Sequence, residues 1–396
     1  MIINDTNHSN FYPDDFKKIY NKNYYKLRKD FTNWIDAIGE KKNLDWWVSI
    51  PASRNQYISK LFHNFCFIES VKEAKKNLKI EEIVLKDKEL KKILEINLKI
   101  KSKITLINNQ KNSFIKNFLT MLKILSYHFL IYFFCKLTTK QQLSKTNKIV
   151  LIDTFIIDEN LNNNKYYHKE LIQKSKDKKD VFFVPSFYLE MKLVKIFKII
   201  FNCSVSKNFL LREHYLNFID ILKSFFIICR RRKFIKQYKN LKNIDYSKII
   251  INEINQNHNL SNQILGLQNY YFFKNLFISK VEIRKVINWF ENQSLGKGWN
   301  YGSRTFYPNA TSLGYQGYTY FPQYMCLTPS KQEYDSKVVP ETLLSMGKVY
   351  NKTRKEFCKY IKVKNAPALN YQYVFKKKNI KTLKKKQVLI ILSGFL

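Results

Sequence analysis

Glycine, proline and acidic residues are scarce in this chain, and each shortage excludes a class of protein. With 9 Gly and 8 Pro in 396 residues, collagen-like and Pro/Gly-rich low-complexity architectures are ruled out. The six cysteines (Cys66, Cys135, Cys203, Cys229, Cys326, Cys358) stand singly, with no CxxC pair. That is the pattern of reduced thiols used as small hydrophobes, not of a disulfide framework or a zinc ribbon. The six histidines form no HxxxH and no Cys/His cluster, so no metal site is expected. Neither GxxxxGK[ST] nor a GxGxxG following a strand occurs, so no phosphate-cradling fingerprint is legible. Asp5, Asp14 and Asp15 and the lack of an early apolar run argue against a signal peptide, and a cytoplasmic location is expected.

What is present is apolar and basic. Hydrophobic residues make up 45% and aromatic residues 16%, too much apolar surface for a disordered chain. Lys and Arg number 70 against 31 Asp and Glu, a formal net charge of +39. Such a surplus favours an anionic partner: nucleic acid, anionic lipid headgroups, or phosphorylated and acidic small molecules.

Apolar runs at 148–157 (KIVLIDTFII) and 181–185 (VFFVP) read as strands, each followed by a helix-like piece. Short strands are also expected at 46–50, 312–315, 324–328, 343–346 and 361–366, and helices at 331–338 and 352–360. Strands alternating with helices imply parallel pairing with crossover helices, an α/β fold. Residues 70–112 show apolar positions three or four apart and read as exposed amphipathic helices, part of a helical insertion over about 70–140. Phe118 to Cys135 is the most apolar stretch, interrupted by Lys123 and His128. A buried or interfacial helix is favoured there over a bilayer span. The segment 216–229 runs directly into Arg230, Arg231, Arg232 and Lys233. That cluster suits an anionic membrane surface, or equally a solvated helix C-terminus where cations favour the dipole. The tail holds a basic linker, 376–386, and then an apolar run, 387–396, ending in Ser-Gly-Phe-Leu. The run is expected to be the first strand of a further nucleotide-binding domain, or else a terminal strand completing the sheet before it.

Seven of the nine glycines follow residue 290, marking positions of special backbone geometry or close ligand approach. There 289–304 (WFENQSLGKGWNYGSR) forms the densest candidate site. An apolar strand end delivers Glu291, Asn292 and Gln293 into the region beyond a strand, where open α/β sheets bind ligands. Glu291 is the candidate general base on a sugar hydroxyl; the amides suit hydroxyl-rich ligands, and Lys297 and Arg304 suit phosphate or carboxylate. The alternative is a helix cap with Glu291 neutralised by Lys297. A second candidate is 314–322 (GYQGYTYFP), where Tyr315, Gln316 and Tyr318 could stack on and bond a sugar or base; a plain aromatic turn is the alternative. The third is 51–55 (PASRN), where Ser53 and Arg54 at a helix start would favour an anion, or merely cap an ordinary helix.

The series WWVSIPASRNQYISKLFH, IVLIDTFI with downstream YYHKEL, WFENQSLGKGWNYGSR, GYQGYTYFPQYMCLTPSKQEYDSKVVPETLLSMGKVY and KEFCKYIKVKNAPALNYQYVF resembles a family of bacterial surface carbohydrate proteins. These are GT-B-type glycosyltransferases of capsule and lipopolysaccharide synthesis, distantly similar to Kdo and sialic acid transferases. The resemblance covers roughly 46–375 in patches, densest from 286 to 375. It implies a Rossmann-like, acceptor-side lobe over 1–375, with Glu291 and the Gln316 loop facing an inter-domain cleft. In such enzymes a nucleotide sugar, held mainly by a second lobe, donates to a glycan or lipid-linked acceptor. Metal-independent transfer without a further cofactor, at the inner face of the cytoplasmic membrane, is the resulting expectation. Two other classes stay open. A nucleic-acid-binding protein is suggested by the charge and 26 Tyr, although no recognition module is legible; the other is a non-catalytic membrane scaffold.

Overall fold

The computed structural model describes residues 1–5, 12–39, 43–100, 103–107, 114–141, 143, 148–161, 180–187, 191–231, 241–256, 259–317 and 324–371. Two all-parallel sheets organise them. The first holds β1 (Ile2–Asn4), β2 (Glu82–Leu85) and β3 (Lys103–Leu106), in that spatial order. The second is built from β4 (Ile149–Ile156), β5 (Val181–Phe187), β6 (Ile283–Trp289), β7 (Thr311–Gln316), β8 (Thr342–Met346) and β9 (Lys362–Ala366). Its spatial order is β5-β4-β6-β7-β8-β9. The helices are α1 (Asp14–Gly39), α2 (Leu44–Trp47), α3 (Leu61–Asn77), α4 (Lys88–Leu98), α5 (Phe114–Lys136), α6 (Leu193–Val205), α7 (Phe218–Arg231), α8 (Ser247–Asn255), α9 (Leu260–Ile278), α10 (Ser294–Phe306) and α11 (Lys331–Asp335). The chain is therefore α/β and Rossmann-like in its alternation of parallel strands with helices.

β4 and β5 are apolar on both faces because both faces are covered. Val150, Ile152 and Phe183 share one core with Ile196, Ile199 and Ile200 of α6. Leu151, Phe182 and Val184 point the other way, into a core with Phe272 and Phe273 of α9 and Trp299 of α10. Each such side chain contributes about 1.5–3 kcal/mol on burial. A separate core joins the first sheet, through Ile3 and Ile83, to Phe16 and Phe31 of α1 and Phe65 of α3. β4 leads to β5 on one side, and β6 returns on the other. The β4/β6 boundary is thus a topological switch point, where open α/β sheets form their ligand crevice.

Of the glycines after residue 290, Gly347 has the special backbone geometry expected, with φ 80°, whereas two others have a different cause. A Cβ on Gly298 would lie 1.7 Å from the carbonyl oxygen of Gly266, so α9 and α10 cross with their backbones in contact. Gly302 likewise makes room for Phe273. Helix packing, not ligand approach, requires these two residues.

Local structure departs from expectation in four places. Residues 46–50 are not a strand: α2 and a 3-10 turn at Pro51–Ser53 occupy that run. Residues 325–327 form a 3-10 turn in place of a strand, and only 353–355 of the expected helix at 352–360 is helical, as another single 3-10 turn. Within the stretch read as helical insertion, β2 and β3 alternate with α4, whose start Asp87 caps by accepting from Glu89 N–H at 2.8 Å and Leu90 N–H at 3.2 Å. The expected helix at 166–173 and the linker and terminal strand at 376–396 lie outside the described residues.

Candidate functional site

The site grows from the end of β6. Trp289 N–H donates to Asp153 Oδ1 at 2.7 Å and Phe290 N–H to Tyr315 O at 2.8 Å, pinning the strand end to β4 and β7. Asn292 then adopts a left-handed backbone, φ 54°, which asparagine tolerates better than most residues. The chain turns, and α10 begins two residues later. This turn carries Glu291 beyond the carboxyl end of the strand. Its Oε1 accepts from Trp289 Nε1 at 2.8 Å, and its Oε2 accepts from Gln293 Nε2. Burial raises the Glu291 pKa above the ordinary carboxylate value, and the two hydrogen bonds pull it part of the way back.

Glu291 and Gln293 line a cavity of about 430 Å³, within the range that holds a small ligand. Asn259 and Asn262, at the start of α9, and Asn55 bring three further amides to its wall. Tyr57 and Tyr324 add aromatic surface, with ring centroids 5.2 Å apart and hydroxyls hydrogen-bonded to each other. Cys326 and Leu327 supply an apolar patch. Among the described residues that line it there is one carboxylate and no lysine or arginine. Such a wall can bond hydroxyl groups, stack on a ring, and accept a proton at Glu291.

Beside the cavity lies a sealed ionic cluster. Arg54 and Lys297 both engage Glu333, and all three side chains are fully buried. Lys297 Nζ is 2.9 Å from Glu333 Oε1 and donates to Ala52 O at 2.7 Å; Arg54 also donates to Thr328 O at 3.0 Å. Asn292 Nδ2 donates to Glu333 Oε1 at 2.9 Å. Burial pushes the Glu333 carboxyl up, but Arg54 and Lys297 outweigh it and hold the pKa at about 2. Burial lowers the Lys297 pKa, and Glu333 restores only part of the loss. Arg54, Asn259 and Asn292 all have φ between 52° and 63°. Left-handed backbone at a non-glycine residue costs about 1–2 kcal/mol and gathers at sites where tertiary contacts enforce it.

The expected anion ligands are accordingly corrected. Arg54 starts no anion-binding helix: it follows a 3-10 turn and faces a protein carboxylate. Ser53 is buried, its hydroxyl donating to Ile50 O at 2.6 Å. Lys297 neutralises Glu333, not Glu291. Arg304 donates to Tyr334 O and Val339 O, both at 3.0 Å. Two of the second group also point inward. Tyr315 donates to Pro367 O at 2.9 Å, and Gln316 Nε2 holds Leu327 O at 2.9 Å, fixing the turn that supplies Cys326 and Leu327. Tyr318 lies outside the described residues, as do Arg232, Lys233 and the side chains of Arg230 and Arg231. Of the expected ligands, Glu291 and Gln293 reach the cavity, with Asn292 just behind them.

Comparison with protein-family models, with curated proteins and with solved structures finds no match to this chain. A functional reading therefore rests on the site itself. Asn55, Tyr57, Asn259, Asn262 and Tyr324 join that site without having been singled out as ligands. Asn55 lay within the 51–55 candidate and Asn259 carried a local signal as a polar residue just before an apolar helix; Tyr57, Asn262 and Tyr324 had neither. Glu333 carried only the capping-box signature Ser330-x-x-Glu333, which marks a helix start and not an ionic partner.

One cavity wall is tethered by a titratable group. Glu253, near the end of α8, accepts from Ser59 Oγ and from Lys60 N–H, both at 2.7 Å, closing the loop that bears Asn55 and Tyr57. Burial raises its pKa to about 7 against those hydrogen bonds. The folded carboxyl thus holds its proton more tightly than the unfolded one, near 4.5. Folding takes up a proton between those values, so stability falls as pH rises from about 4.5 to 7, by on the order of 3 kcal/mol in all. Denaturant titrations of wild type and Glu253→Gln at pH 5 and pH 7.5 should show the loss in the wild type only. Parallel behaviour of the two proteins would refute the assignment.

Proposed function

We propose that this chain is the acceptor-side part of a GT-B-type glycosyltransferase acting in bacterial surface polysaccharide synthesis, with Glu291 as general base. The carrying observation is the Glu291 carboxylate, clasped by Trp289 and Gln293 beyond β6 and facing a cavity walled by amides and two tyrosines. In the proposed reaction the acceptor hydroxyl gives its proton to Glu291. The freed oxygen bonds to the anomeric carbon of the donor, and the bond from that carbon to the nucleotide phosphate breaks. A raised pKa brings a carboxylate closer to the range in which a base works best near neutrality.

The cavity suits the acceptor better than the donor. A sugar-nucleotide diphosphate calls for cations, yet among the described residues no lysine or arginine lines this wall. A neutral, hydroxyl-rich ring fits four amides and an aromatic platform. Calorimetric titration with a panel of mono- and oligosaccharides, beside free nucleotides, tests this reading. Sugar binding is expected, weakened at least tenfold by Asn262→Ala or Tyr57→Ala, with nucleotides bound far more weakly. Tight nucleotide binding insensitive to both variants would contradict it.

A further inference from the structure

We infer that α5, together with α7, forms an in-plane docking surface for an anionic lipid bilayer. This inference stands apart from the proposed transferase activity. In a soluble domain the outward face of a helix is polar; in α5 it is apolar. Leu119, Leu122, Leu130, Phe133 and Leu137 are all exposed, Phe133 by 52% and Leu137 by 84%. Their spacing of three or four, interrupted by Ser126 and the exposed Lys123, places them in one stripe that ends one residue past α5. From Leu119 to Leu137 the stripe runs about 27 Å at 1.5 Å per residue.

The stripe continues onto a neighbour. Phe133 and Phe129 lie 6.1 and 5.1 Å, ring to ring, from Phe218 of α7, and Ile219 and Phe226 of α7 are exposed in turn. An uncovered apolar area of this extent marks an interaction site.

Charge selects the partner. α5, α6 and α7 carry three, two and three lysines or arginines. Their only acid, Asp220, is buried and accepts from Asn275 Nδ2 at 2.7 Å. A second copy would set like charge against like charge, whereas an anionic bilayer offers both a counter-charge and an apolar interior.

Orientation follows from the opposite face. Asn117–Lys136 is long and apolar enough to cross a membrane, yet it is fastened to the domain along its length. Met121, Ile124 and Leu125 pack on the first core. Tyr127 donates to Met191 O at 3.0 Å, His128 bonds Ser261 Oγ at 3.0 Å, and Lys136 donates to His214 O at 3.1 Å. A helix bound laterally to an α/β domain lies in the interface and does not span it.

Co-sedimentation of the full chain with phosphatidylcholine vesicles, with and without phosphatidylglycerol, tests the inference. Binding is expected at least tenfold stronger to the anionic vesicles. The double variant Leu130→Asp/Phe133→Asp should lose at least tenfold of it at an unchanged melting temperature. Equal binding by the double variant, or no anionic preference in the wild type, would overturn it. So would a wild-type dimer that the double variant dissociates, since that would assign the face to a second copy.

Discussion

Replacing Glu333 by glutamine is expected to destabilise the fold by roughly 3–5 kcal/mol, the usual cost of leaving buried charge without its partner. Arg54 and Lys297 would both lose their counter-ion in a place where each side chain is fully buried. The capping box at the start of α11, in which Ser330 N–H donates to Glu333 Oε2 at 2.9 Å and Glu333 N–H donates to Ser330 Oγ at 3.2 Å, can persist with glutamine, so the cost reports the lost charge. The pH dependence separates this residue from Glu253. With a folded pKa held at about 2, Glu333 contributes stability that is complete above its unfolded pKa and is lost as pH falls toward 2. The stability advantage of wild type over the variant should therefore shrink in acid, while the opposite Glu253 contribution is common to both proteins. Guanidinium titrations at pH 3 and pH 7 measure both effects; a cost below about 1 kcal/mol would mean that the cluster relaxes or takes up water.

For Glu291→Gln the expected result is the reverse: catalysis lost, fold kept. A positioned general base accelerates a reaction about 10²- to 10⁴-fold, so kcat for sugar transfer should fall by that factor. Stability at pH 7 should hold or rise slightly, since burial disfavours the ionised carboxyl and glutamine carries no charge. Wild-type rate should also climb with pH through a pKa above the ordinary carboxylate range, and that limb should vanish in the variant. Release of nucleoside diphosphate from a panel of nucleotide sugars, with acceptor glycans present, provides the readout. Undiminished turnover in the variant would remove Glu291 from the chemistry.

The amino-acid sequence by itself determined the α/β character, the strands at β4, β5, β7, β8 and β9, and a strand end that delivers Glu291, which is the end of β6. Central parallel strands are buried on both faces, so they must read as unbroken apolar runs such as IVLIDTFI and VFFVPSF. Strands of three or four residues leave no such trace, which is why β2 and β3 stayed hidden inside a Lys- and Leu-rich pattern and β1 in the polar N-terminal segment. WWVSI stayed ambiguous for a related reason: a five-residue apolar run satisfies a helix and a strand equally well. Only tertiary structure decided what the cations do. Arg54 and Lys297 are 243 positions apart, and nothing local reveals that Glu333 sits between them. In isolation each looks like a ligand for a phosphate. The cavity had the same origin, since Asn55, Asn259, Glu291 and Tyr324 come from four separate segments. Periodicity reports which face of an element is buried; which charges and amides meet there is settled by packing between distant parts of the chain, which local pattern does not encode.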